Sequence, residues 1–93
     1  MYFEWDEEKN RSNKVKHGIS FEAAKLAFDD PRQLTRFDRT EGGEDRYHTI
    51  AFAAGVVLIL VVHTYRERSG EEVVRIISAR KANATERRLY HGK

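Results

Sequence analysis

Up to Pro31 the apolar residues recur at helical intervals, and beyond it they alternate as in strands. "YFEW" at Tyr2–Trp5 suits a short first strand or an extended lead-in. Asp6 is placed to cap a helix over about Glu7–Lys16, with Glu7 and Glu8 at its positive end and Gly18 as its stop. This helix is unusually polar. Val15 is its one aliphatic anchor, Trp5 and Ile19 flank it, and Lys9, Asn13 and Lys16 share a face. Ser20 caps a second helix, "FEAAKLAFDD", whose stripe is Phe21, Ala24 and Phe28. Leu26 falls off that stripe, and Pro31 ends the helix.

Four strands are predicted next: "QLTRF", "RYHTIAFAA", "VVLILVVHTYR" and "EVVRIISAR". The turn-rich breaks between them are "DRTEGGED", "AG" and "ERSGE". Short breaks between consecutive strands imply antiparallel hairpins. The third strand is apolar on both faces and belongs in the centre. Asn83–Glu86 reads N-A-T-E, a capping-box start for a final helix. The expectation is one α+β domain over residues 1–93. It has two N-terminal helices, a twisted antiparallel sheet of about four strands and a C-terminal helix.

Composition narrows the chemistry. Lys and Arg number 17 against 15 Asp and Glu, so the net charge of +2 says less than its distribution. With no cysteine, disulfides and thiolate chemistry are excluded. The four histidines lack metal-ligand spacing, and no metal or other cofactor is expected. "EGGED" is acidic and would repel phosphate. The longest apolar run, Val56–Val62, falls far short of the ~20 residues a membrane span needs. The acidic start resembles no signal peptide, and a cytoplasmic location is expected.

The cations gather at Lys14–Lys16, Arg66–Arg68, Arg80–Lys81 and Arg87–Arg88, with Arg46 and Arg75 within the strands. An arginine amid "VVRII" must face solvent, a carboxylate or a ligand. Such a set suits RNA, which carries its own nucleophile in the 2′-hydroxyl. Arginines neutralise phosphorane charge but cannot act as the base. Proton transfer falls to His63 at the end of the third strand, to Tyr90, or to His17 beside Gly18. Each has a structural alternative: His17 as a helix C-terminal cation, Tyr90 as a ring packed on the sheet. The N-x-x-E spacing favours a cap over a base for Glu86. Strand parity leaves open whether His63 faces Arg75, because a one-residue slip reverses the face.

"FEWDEEKNRSNKVKHGISFEAAKLAFDD", "EDRYHTIAF", "LVVHTYR" and "VRIISARKANATERRLY" together resemble the sequence blocks of the BrnT family over nearly the whole chain. The resemblance implies a RelE-like fold and a metal-independent endoribonuclease that cuts mRNA and arrests growth. It also implies a BrnA-like antitoxin, in a heterotetramer of two toxins and two antitoxins, with operator DNA reached only through the antitoxin. The family blocks fall on Lys16, His17, Glu44, Arg46, Thr64, Arg66, Arg75, Arg80, Glu86, Arg87 and Tyr90. By analogy Arg46 and Arg80 stabilise phosphate charge, with Tyr90 or His63 as acid or base. Lys16, His17, Arg66, Arg75, Lys81 and Arg87 are the expected RNA contacts. Two other readings use the same cations: a nucleic-acid-binding module without catalysis, and an interaction protein that docks an acidic partner.

Overall fold

The computed structural model describes residues 1–92. Asp6 caps helix α1 (Glu7–His17) by accepting hydrogen bonds from the Glu8 and Lys9 amides. Gly18 closes it at φ 75°, a left-handed conformation that favours glycine. Val15 is no anchor: it is 89% exposed. The helix is held by two buried asparagines instead. Asn10 accepts from the Phe21 amide at 2.7 Å and donates to Glu7 and Glu22. Asn13 donates to the Ile19 and Ala79 carbonyls, both at 2.8 Å, and accepts from the Ala79 amide at 3.2 Å. Its amide thus covers an open stretch of strand edge that would otherwise hold unpaired backbone groups.

Ser20 caps α2 (Phe21–Lys25), which tightens into a 3₁₀ turn over Leu26–Asp29 before Pro31. The strands are β1 (Tyr2–Glu4), β2 (Leu34–Glu41), β3 (Glu44–Ala53), β4 (Val57–Arg68) and β5 (Glu71–Lys81), followed by α3 (Ala84–His91). The sheet order is β1-β5-β4-β3-β2, so the doubly apolar strand is central as expected. Two expectations change. The sheet has five strands rather than about four, because β1 joins β5 in parallel. The strands also run into the segments read as loops: β2 and β3 meet at Gly42–Gly43, and β4 and β5 at Ser69–Gly70. Both turns have positive φ at both central residues, the conformation that matches strand twist.

Period-2 alternation gives the sheet two faces. One packs under α1, α2 and the 3₁₀ turn through Ile19, Phe21, Ala24, Ile59, Val61, Val74 and Ile76. The other is covered at one end by α3, where Tyr90 packs with Ile50, Leu58, Leu60 and Phe52. Beyond α3 that second face stays open.

Candidate active site

Strand register decides which cations meet. Thr64 pairs with Arg75 and Leu60 with Arg80, placing Arg75 and Arg80 on the α3 side. They reach the same face only because of a bulge. Val62 pairs with Ser78 but His63 with Ile76, leaving Ile77 as an extra residue that resets the parity of β5. Arg46 lies on this face of β3, and Arg66 and Arg68 on β4. These arginines, with Arg39 opposite Arg46 on β2, border the open half of the sheet.

Carboxylates hold them. Glu4, its side chain only 16% exposed, sits within ion-pair distance of Arg66 (3.5 Å), Arg68 and Arg75 (3.2 Å). Burial would raise its pKa, but hydrogen bonds and charge from Arg75 and Arg68 outweigh this and hold it below the usual carboxylate value. Glu44 takes Arg66 at 3.0 Å, and Glu41 lies 3.5 Å from Arg46. Arg46 Nε and the hydroxyl of the fully buried Thr64 have no hydrogen-bond partner. Both atoms are enclosed, and Thr64 pairs with Arg75 across the strands.

Arg80 is more firmly engaged. Its guanidinium donates to both Glu86 oxygens at 2.8 Å, while Glu86 also accepts from the Asn83 amide at 2.9 Å in a complete capping box. The hydrogen bond from Arg80 lowers the Glu86 pKa and raises that of Arg80. The sequence expectation of a local role for Glu86 holds, and Arg80 takes part in it by bracing α3 against the sheet.

The expected proton-transfer residues lie elsewhere. His63 is fully buried on the opposite face, beneath Phe28 (5.0 Å between ring centroids) and between Tyr47 and Tyr65. Its Nε2 is 2.7 Å from Thr49 Oγ1. Burial, with a smaller contribution from the charge of His48, depresses its pKa to about 4. Tyr90 is 4% exposed, and its hydroxyl donates to Asp30 Oδ2 at 2.6 Å. That hydrogen bond raises the phenol pKa, and burial adds to the rise. Asp30 also accepts from the Phe52 and Arg32 amides. Tyr90 thus ties α3 to the loop after the 3₁₀ turn. Lys16 and His17 end α1 on the far face, Lys81 alternates away from Arg80, and Arg87 is exposed on α3.

One residue on the arginine face was overlooked in the sequence. His48 stands two positions after Arg46 and pairs with Arg36 of β2. A second bulge between Phe37 and Arg39 frees Asp38, whose Oδ2 lies 3.3 Å from His48 Nε2. Arg36, Asp38, His48, Leu60, Asn83 and Glu86 line a cleft of about 300 Å³ between β2, β3 and α3. The signal was the alternation Arg46-x-His48-x-Ile50 on one strand face. A hollow of about 410 Å³ by the Ala54–Gly55 turn has no cation on its wall and offers a phosphate little. Among the described residues, no group of three or more His, Asp or Glu is placed to hold a metal, and no helix is long and apolar enough to cross a membrane.

Residues 5–86 match the family model of the ribonuclease toxin BrnT of type II toxin–antitoxin systems. The crystal structure of the Brucella abortus ribonuclease toxin BrnT superimposes with a TM-score of 0.62 at 26% identity. The match covers 89% of this chain and 97% of that one. No curated protein matches.

Proposed function

The chain belongs to the BrnT family of ribonuclease toxins of type II toxin–antitoxin systems, and from that premise we propose that its open sheet face cuts mRNA without a metal. RNA lies across β3, β4 and β5 beside α3. The 2′-hydroxyl attacks the adjacent phosphate, leaving a 2′,3′-cyclic phosphate and a 5′-hydroxyl. Arg46, Arg75 and Arg80 face the charge that develops on phosphorus, and Arg66 and Arg68 hold flanking phosphates. The observation that carries this reading is the strand register, which sets Arg46 and Arg75 in one row across the sheet with Arg66 and Arg68 on the same face. Weight shifts from Arg80 to Arg46, because Glu86 occupies both terminal nitrogens of Arg80. Arg87, exposed on α3, is the RNA contact expected from that helix. Lys16, His17 and Lys81 lie outside this groove, and His63 and Tyr90 serve the fold.

A BrnA-like antitoxin, two copies to two toxins, covers the groove and silences it, and operator DNA is bound through the antitoxin. The test is to induce the chain alone in bacteria and map new RNA 5′ ends, beside inducible Arg46→Ala and Arg75→Ala proteins. New cuts in mRNA that fade in both variants are expected. Soluble wild-type protein that binds RNA with strong salt dependence and leaves every transcript intact would replace the nuclease by a binding module.

A further inference from the structure

We propose that His48, positioned by Asp38, is the base that takes the 2′-hydroxyl proton; the proposal rests on the ribonuclease reading of the arginine face. The chemistry requires a proton acceptor on the same surface as the phosphate-binding arginines. Arginine cannot do this. Glu86 is engaged by Arg80 and by the Asn83 amide. His63 and the Tyr90 hydroxyl are buried away from the face. His48 meets the requirement: its side chain is 32% exposed, it lines the cleft under α3, and it shares its strand face with Arg46.

The surroundings define its protonation chemistry. Asp38 lies 3.3 Å from Nε2, so the carboxylate favours a proton on that nitrogen and leaves the lone pair on Nδ1. Asp38 reaches this position because the β2 bulge takes it out of the ladder. The charged groups facing His48 are Arg36 and Asp38 from β2, Arg46 from β3 and Glu86 from α3; β4 presents the apolar Val62 and Leu60 on this face and the titratable His63 on the other. Attack then balances as follows. Nδ1 takes the proton from the 2′-hydroxyl, O2′ bonds to phosphorus, the P–O5′ bond breaks, and the 5′-oxygen takes a proton from water. His48 is a catalytic residue in this scheme. Asp38 acts through it as a positioning residue.

The experiment measures single-turnover cutting of one mRNA, naked and in a cell-free translation extract, by wild-type, His48→Gln, His48→Ala, Asp38→Asn and His63→Gln proteins. RNA affinity by anisotropy and melting temperature are followed for each. Expected for His48→Gln is a fall in the cutting rate of about 10²–10⁴-fold with affinity kept within about twofold. Added imidazole restores part of the His48→Ala rate. Asp38→Asn lowers the cutting rate while RNA affinity stays within about twofold, and His63→Gln cuts normally. A His48→Gln protein that cuts at the wild-type rate with an unchanged pH profile overturns the assignment of His48 and leaves the ribonuclease reading intact. A wild-type protein that binds the mRNA and cuts it in neither setting overturns both.

Discussion

Replacing His63 with glutamine removes a buried imidazole whose ionisation the fold opposes. The side chain has no exposed surface and sits among Phe28, Tyr47 and Tyr65. Burial lowers its pKa from 6.5 to about 4. A pKa depressed on folding means that the unfolded chain binds the proton more readily. The neutral side chain therefore contributes its full stability above pH 6.5, and that contribution is lost as pH falls toward 4. The whole displacement corresponds to about 3 kcal/mol, and about 2 kcal/mol of it is gone by about pH 5. Glu4, Glu22 and Glu86 have lowered pKa values and so titrate below this window. Urea unfolding of wild type and His63→Gln from about pH 7.5 to about pH 5 isolates the term by difference. The variant starts weaker by about 1–2 kcal/mol from lost packing, and the gap closes as the pH drops. A gap that stays constant over this range would refute the argument. So would a gap that widens.

Other consequences follow from single contacts. Asn13→Ala strips the Ala79 amide and carbonyl of their partner and costs about 2–3 kcal/mol in denaturant unfolding. Tyr90→Phe loses about 1–2 kcal/mol by removing the bond to Asp30 but retains RNA cutting; a large fall in cutting with stability intact would return the phenol to catalysis. Arg80→Ala leaves the Glu86 carboxylate, 13% exposed, without its guanidinium and destabilises α3 by about 1–3 kcal/mol. Adding Glu86→Gln recovers part of that loss in a double-mutant cycle. Glu4→Gln releases Arg66, Arg68 and Arg75, so RNA binding by anisotropy tightens, whereas Arg75→Ala lowers the salt slope by about one.

Local signals carried far in this chain. Asp6, Gly18, Ser20 and the N-A-T-E box each act within one helical turn, and each sits where its local chemistry directs. The doubly apolar run of β4 had to be central, since no edge strand buries both faces. What the sequence hid was non-local. Hydrophobicity marks Val15 as the anchor, yet two asparagines hold α1, because a buried amide that completes a strand edge outweighs one exposed aliphatic contact. The short "YFE" pattern leaves a strand and an extended lead-in both open. It becomes a strand only where β5 offers a free edge.

The site shows the same division. The sequence itself determined that the chain carries many arginines on strands, no thiol and a family pattern of ribonuclease toxins. Tertiary structure decided which of these residues meet. Side chains alternate with a period of two, so one extra residue reverses everything beyond it. Ile77 is that residue on β5, and it sets Arg75 and Arg80 on one face while His63 stays on the other. The bulge at Asp38 does the same for β2 and brings a carboxylate to His48. A bulge leaves almost no mark in composition or periodicity, because its energy is settled by the strands it joins.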